Sequence, residues 1–210
     1  MNTVKHKRIP DETIRRLPVY LRGLMFLLEN GQGRISSKKL GDFIGVNSWQ
    51  IRKDFSYFGD FGVRGVGYEI ENLANEIKGI LKLNINQKAA LIGIGNLGSA
   101  VLSYPGFNIY GFNIAAAFDN NPQKIGSRIN GFEILDISKL DILKKLNVRL
   151  GIIAVPRKAA QEIADLLVKA GVTGILNFSP CYIIVPKKVK VITIDIAGYL
   201  ARMPYYTSAG

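Results

Sequence analysis

Two kinds of apolar patterning divide this chain. Between residues 12 and 29, Ile14, Leu17, Tyr20, Leu21, Leu24, Phe26, Leu27 and Leu28 recur at helical spacing, and Gly31-Gln32-Gly33 should end that helix. Ser36 or Ser37 is placed to cap a short second helix carrying Leu40, Phe43 and Ile44 and closing at Gly45. Asn47 or Ser48 then caps a third helix running to about Phe58. Gly59, Gly62, Gly65 and Gly67, interleaved with Val63, Val66 and Tyr68, predict a tight hairpin, or wing. Helical spacing returns over residues 70 to 82 through Ile70, Leu73, Ile77, Ile80 and Leu81.

From Lys88 onward the apolar residues come in short continuous runs: Ala89 to Ile92, Ile114 to Phe118, Leu150 to Val155, Gly174 to Phe178 and Val189 to Ile196. Helix-compatible stretches, such as Ala159 to Lys169, separate most of them. Continuous apolar strands alternating with helices predict an α/β fold whose parallel sheet is covered on both faces. The expected division is a winged helix-turn-helix over 1–83, a Rossmann-like domain over 84–195, and a short C-terminal helix and tail over 196–210.

Charge narrows the partners. Lys and Arg number 28 against 16 Asp and Glu, a net +12, which points to an anionic partner: nucleic acid, anionic lipid or a phosphate ligand. The excess is spread along the chain, with 14 basic and 9 acidic residues over 1–83 and 14 and 7 over 84–210. The sole cysteine, Cys181, excludes an internal disulfide and a thiol-based zinc site. The sole histidine is His6, so a Ser-His-Asp triad or Cys-His pair would have to recruit the N-terminal tail. No catalytic residue and no metal site is expected. No run approaches the ~18 apolar residues of a membrane span, and no apolar segment follows Lys5, Lys7 and Arg8 to make a secretory signal, so a cytoplasmic protein is expected.

The clearest motif is Gly93-x-Gly95-x-x-Gly98, preceded by an apolar run and followed by a helix-compatible segment. Asp119 closes the next apolar run, 21 positions after Gly98. That is the layout of a dinucleotide-binding βαβ unit. Gly93 permits the tight turn, Gly95 lets the pyrophosphate approach the backbone, and Gly98 lets helix and strand pack closely, with Asn96 and Leu97 opening the helix over the phosphates. Asp119 is expected to bind the adenosine ribose and repel a 2′-phosphate, favouring NAD over NADP; Asn120 and Asn121 follow it, not an arginine. Val155-Pro156 and Asn177-Phe178-Ser179-Pro180 fall at carboxyl ends of later strands, where ligands of open α/β sheets sit, and are candidates for the nicotinamide end. A glycine-rich turn holding another phosphate ligand, such as coenzyme A, is the competing reading.

The third helix has the character of a DNA reader. At ~100° per residue, Ile51, Phe55 and Phe58 share one face, while Trp49, Lys53 and Ser56 lie opposite, flanked by Gln50, Arg52 and Tyr57. Arg and Lys suit guanine edges, and hydroxyls suit phosphates. Arg64 and Gly65 lie in the glycine-rich wing, whose thin basic tip suits a narrow minor groove.

The strings Val46 to Gly59 and Arg64 to Tyr68 resemble the winged-helix signature of the Rex family of bacterial redox-sensing repressors. The likeness continues through Gly93 to Gly98, Tyr104 to Phe107, Asp119 to Pro122, Lys124 to Gly126, Ala154 to Pro156 and Gly174 to Pro180, nearly the whole chain in the family's order. The resemblance implies a homodimer on an inverted-repeat operator in double-stranded DNA, with the C-terminal helix exchanged between partners. It implies NADH as the ligand that releases DNA and NAD+ as the one that permits binding. It adds Lys124 to the nucleotide contacts, places DNA contacts at Arg52, Lys53, Tyr57 and Arg64, and makes Arg16, Tyr104 and Asp195 a polar switch across the domain and subunit boundary. Three positions depart from the family's pattern. Asn121 stands where Asp is frequent, Ile196 where Phe often follows the acidic residue, and Met203-Pro204 should end the last helix early. The rivals are an NAD-dependent oxidoreductase, for which the chain offers no substrate domain and no histidine beyond His6 in the N-terminal tail, and a coenzyme A-binding α/β module.

Overall fold

Hydrogen-bonded serine and asparagine caps open the two short helices of the first unit. In a computed structural model, residues 9–59, 61–63 and 65–207 are described, and the chain divides into two compact units, Met1–Asn84 and Ile85–Gly210. Helix α1 (Asp11–Glu29) buries Leu17, Tyr20, Leu21, Leu24 and Leu27, one stripe of its surface, and ends ahead of Gly31 at φ +76°. Ser36 caps α2 (Ser37–Ile44) by accepting from the Lys39 N–H, and Gly45, in the left-handed region, ends it. Asn47 caps α3 (Ser48–Phe55). This helix stops three residues before the predicted Phe58, because Tyr57 and Phe58 bond to carbonyls three residues back and the last turn tightens into Gly59.

The wing is narrower than the predicted hairpin. Val63 and Gly67 form a single antiparallel bridge around Gly65 and Gly67, both at positive φ. Strand β2 (Tyr68–Glu69) pairs instead with β1 (Arg34–Ile35), ahead of α2. Helix α4 (Ile70–Ile80) closes the unit with Ile70, Leu73, Ala74 and Ile77 buried.

The second unit is a seven-stranded sheet in the order β5-β6-β4-β3-β7-β8-β9. Its strands are β3 (Gln87–Ile92), β4 (Phe112–Asp119), β5 (Arg128–Ile129), β6 (Phe132–Asp136), β7 (Leu150–Ile153), β8 (Gly174–Asn177) and β9 (Lys190–Thr193). All neighbouring pairs are parallel except β5 with β6. Strand order reverses beside β3: the chain runs outward through β4 to β6, then returns to build β7, β8 and β9 on the other side. The crevice at such a reversal is where this fold class binds ligands.

Helices α7 (Ile142–Lys145) and α8 (Arg157–Lys169) cover one face, burying Leu143, Ala160, Ile163, Ala164 and Leu167 with Phe118, Ile92 and Ile153. On the other face α5 (Asn96–Leu102) and α6 (Gly106–Ile109) bury Val101 and Leu102 against Leu91 and Ala117. Coverage there is incomplete. An apolar hollow of about 530 Å³ remains, lined by Tyr104, Phe107, Tyr110, Ile114, Ile152 and Ile192 among others. Two short helices follow, α9 (Ile196–Leu200) and α10 (Met203–Thr207). Met203-Pro204 therefore starts a helix where it was expected to end one; a proline in the first turn lacks only an N–H that would have no partner there.

Candidate nucleotide and DNA sites

The glycine loop lies in the crevice beside β3. Gly93 has φ +93°, and a Cβ there would meet the Ala154 carbonyl and the Val155 side chain, so the fold itself demands glycine. A Cβ at Gly98 would run into the Gly93 carbonyl, the close packing expected of the third glycine. Gly95 is different. Its φ of −79° suits any residue, and a Cβ there would touch nothing within 4 Å. Neither strain nor packing accounts for this glycine, and it lines an open cavity.

That cavity, about 300 Å³, is bounded by Gly93, Gly95, Asp119, Lys124, Val155 and Pro156, together with Asn120, Asn121, Ile137, Ala154, Ala159 and Ile163. Six predicted nucleotide contacts thus meet around one space. Asn96 and Leu97 open α5 beside it, exposed, with first-turn N–H groups that the helix leaves unpaired.

Asp119 is only 6% exposed and its carboxylate is turned toward the glycine loop. Oδ2 accepts from the Ile94 N–H at 2.8 Å and lies 3.4 Å from Lys124 Nζ; Oδ1 accepts from the Asn121 N–H at 2.8 Å. Burial opposes its ionisation, but the two backbone N–H groups and the lysine outweigh burial and hold its pKa below the usual value. Lys124 also donates to the Ile94 carbonyl at 2.9 Å, so this pair pins both sides of the loop at one residue.

The Asn177 to Pro180 segment lies outside the cavity lining. Asn177 is wholly buried; its Nδ2 donates to the Ser179 and Cys181 carbonyls and to Thr193 Oγ1, and its Oδ1 accepts from the Ser179 N–H. The amide is occupied in shaping its own turn. Ser179 Oγ donates to the Val155 carbonyl at 2.6 Å and ties that turn to the cavity wall. Phe178 is half-buried beneath the sheet face that α5 covers, and Pro180 is exposed. Cys181 is partly exposed, with its Sγ 4.0 Å from the Arg157 carbonyl.

In the first unit, Ile51 and Phe55 are buried while Trp49, Arg52, Lys53 and Ser56 are exposed, as the helical wheel predicts. The Lys53 ammonium lies over the Trp49 ring, 5.7 Å from its centroid, and Arg52 Nη1 donates to Ser37 Oγ at 2.9 Å. Ser56 Oγ donates to the Lys53 carbonyl, and Tyr57 is half-buried. A recess of about 430 Å³ between α3 and the wing brings Ser36, Ser37, Arg52 and Ser56 together with Gly65 and with the apolar Phe55, Phe61, Val63, Val66 and Tyr68, so one guanidinium and three hydroxyl-bearing side chains line an otherwise largely apolar space. Arg64 lies outside the described residues.

Gln50 faces inward as well as out: its Nε2 donates to Asp54 Oδ1 at 2.8 Å. Asp54 has no exposed surface. It also accepts from Thr13, from Tyr20 at 2.5 Å, and twice from Arg16, at 2.6 and 2.9 Å. Burial opposes its charge, yet bonds from Arg16, Tyr20, Gln50 and Thr13 bring its pKa down to about 2. Asp195 caps α9 by accepting from the Gly198 N–H, and Tyr104 is exposed, its ring edge-on to Phe107. Each member of the predicted polar switch therefore has a neighbour within its own unit.

The likeness to known proteins runs along nearly the whole chain. The chain is 47% identical over 198 residues to the redox-sensing transcriptional repressor Rex of Roseiflexus sp. (strain RS-1), covering 94% of this chain and 90% of that one. It is 46% identical over 209 residues to the Rex of Syntrophobacter fumaroxidans, covering 99% and 100%. This chain belongs to the Rex family. Like those relatives, a Rex-family chain is a regulator and not an enzyme. Two solved structures of the Rex-family repressor RSP agree. RSP in complex with β-NAD+ and operator DNA superposes with a TM-score of 0.89 at 37% identity, covering 96% of this chain and 94% of that one. RSP in complex with β-NADH gives 0.88 at 36% identity, covering 96% and 95%. A model for the N-terminus of putative DNA-binding proteins matches residues 8–56, and one for a CoA binding domain matches residues 84–181.

Two groups of residues at these sites carry no motif in the sequence. Asp54 and Thr13 belong to no motif, and the helical spacing marks Tyr20 only as an apolar position, although a carboxylate between Ile51 and Phe55 on the apolar arc of α3 is the visible signal. Ile137, Ala159 and Ile163 line the cavity beside the glycine loop from elements that no motif marks.

Proposed function

We propose that this chain is a dimeric, DNA-binding transcriptional repressor that senses the NADH/NAD+ ratio, with NADH releasing operator DNA and NAD+ permitting its binding. One observation carries the nucleotide half: Gly95 is a glycine the fold does not require, opening onto a cavity where the pyrophosphate of a dinucleotide would lie against the backbone. When bound, the nicotinamide supplies only a difference in charge and shape to be sensed. Gly93, Gly95, Gly98, Asn96 and Leu97 would hold the phosphates; Asp119 and Lys124 would set the loop at the adenosine end. Val155 and Pro156 would bound the nicotinamide side, with Asn177, Phe178 and Pro180 acting through the turn that Ser179 ties to Val155.

Residues 1–83 would carry the DNA-reading function and 84–195 the sensing function. Gln50, Arg52, Lys53, Ser56 and Tyr57 would face an inverted-repeat operator, with Arg64 and Gly65 at the wing. The apolar hollow beside Tyr104 and Phe107 supports a homodimer whose C-terminal helices α9 and α10 cross to the partner, since neither helix buries a residue within this chain. Arg16, Tyr104 and Asp195 would couple the two functions: NADH and NAD+ must prefer different arrangements, because only a differential affinity moves an equilibrium. A repressor acting on operator DNA would work in the cytoplasm.

The test is a gel shift on a Rex-type inverted repeat. Retardation with NAD+ that NADH abolishes is expected; retardation indifferent to both nucleotides refutes the sensing role.

A further inference from the structure

We propose that Trp49 is a specificity-determining residue of the DNA surface, its indole ring packing against the 5-methyl group of a thymine in the major groove while Lys53 engages the DNA beside it. The proposal rests on the DNA-reading role above and adds an apolar contact to a surface otherwise built of polar side chains.

Trp49 is the single tryptophan of the chain, and it stands 52% exposed in the first turn of α3. The core of the first unit makes no use of it. Helix α3 reaches that core through Ile51, Asp54 and Phe55, on its opposite face. The ring is nonetheless held in place. Asn47 Oδ1 accepts from the Trp49 N–H at 3.0 Å and pins the backbone at the helix start. One turn on, the Lys53 ammonium lies over the ring, 5.7 Å from its centroid. An aromatic ring kept ordered in water gains free energy when a complex covers it. Its neighbours decide what can cover it. Arg52 and Lys53 are exposed beside it, and an apolar protein surface would have to desolvate both charges, whereas a polyanion pairs with them. On a helix lying in the major groove, the N-terminal residues are those that meet base edges. There the 5-methyl of thymine is the apolar group that a base edge offers to a ring.

Uracil differs from thymine by that methyl alone. Parent and Trp49→Ala are titrated, with NAD+ present, against an inverted-repeat duplex. They are then titrated against duplexes in which one thymine of each half-site is replaced by uracil, position by position, with thermal melting as the check on folding. At one position the replacement should weaken the parent about tenfold, a buried methyl being lost from each half-site, and should change Trp49→Ala by no more than about twofold. The intact duplex should also shield the parent's tryptophan from acrylamide quenching. A parent indifferent to uracil at every position overturns the proposal, as does a uracil effect that persists in Trp49→Ala. A ring as open to acrylamide in the complex as in the free protein overturns it too. If Trp49→Ala loses equal affinity for operator and unrelated DNA, the ring serves the sugar-phosphate backbone and the proposal fails. A folded parent that retards no duplex overturns the DNA-reading role, and this inference with it.

Discussion

Arg16 on α1 grips Asp54 on α3 through two bonds, Nε to Oδ2 at 2.6 Å and Nη2 to Oδ1 at 2.9 Å, around a carboxylate that solvent does not reach. A fork of this kind fixes orientation as well as distance. Because Gln50, one of the proposed DNA contacts on α3, bonds the same carboxylate, the first helix and the proposed reading surface share one anchor. Removing the carboxylate would strand an arginine, a tyrosine hydroxyl and a threonine hydroxyl. Asp54→Ala should therefore cost about 3–5 kcal/mol, read as a fall in the denaturation midpoint of the first transition. A loss below about 1 kcal/mol would mean the network is dispensable.

The same anchor sets an acid limit. A carboxyl held near 2 in the fold and near 3.9 in the unfolded chain binds more protons unfolded, so its contribution is complete above about pH 4. It is lost as pH falls through the folded value, to the extent of about 2 kcal/mol. Urea denaturation of parent and Asp54→Asn between pH 5 and pH 2 checks this. The parent should lose more stability over that range than the variant, and parallel curves would contradict it.

Gly95→Ala and Gly98→Ala should part company. Alanine at 95 has room and an ordinary φ, so melting should barely move while dinucleotide affinity falls at least about tenfold from a methyl in the pyrophosphate's place. Alanine at 98 faces the Gly93 carbonyl, and about 1–3 kcal/mol of stability should go with it. Unaltered nucleotide binding by Gly95→Ala would remove the main support for the cofactor assignment.

Arg52→Ala and Lys53→Ala should each cost about 1–3 kcal/mol of specific operator affinity where the side chain reads a base. NADH titrations should be unchanged. An equal loss on unrelated DNA would assign both residues to the phosphate backbone alone.

Asp195→Ala and Tyr104→Ala should uncouple the two functions: nucleotide and operator each still bind, but NADH no longer alters operator affinity by the parental factor. Gel shifts across an NADH series measure that factor. If both variants keep it, coupling passes through other residues, and Arg16 serves Asp54 alone.

The apolar runs made β3, β4, β7 and β8 legible, because strands buried on both faces need side chains that face nothing polar. The β5–β6 hairpin escaped, since Arg128-Ile129 is two residues long and Glu133 interrupts the second strand. Asn130-Gly131, both at positive φ, was the available turn signal. At the sites, residue positions were legible but side-chain directions were not. Asp119 faces the glycine loop, and Asn177 is used up by its own turn, because backbone N–H groups and carbonyls brought near by the fold compete for them. At Asp54 the place of the carboxylate on the apolar arc of α3 is legible but its partners are not: the side chains of Thr13, Arg16 and Tyr20 lie on another helix, and no local pattern announces them.

The strand order also has a consequence for how the chain comes to fold. At the sheet's centre Leu91 must wait for Ile152, and the edge strand β9 ends only at Thr193, so the second unit cannot close until nearly the whole chain has been synthesised. Every pairing that builds the first unit lies before Asn84 and emerges earlier from the ribosome. The helix that would read DNA is thus assembled before the sheet that would govern it. A chain interrupted between the two would carry the grip without the release.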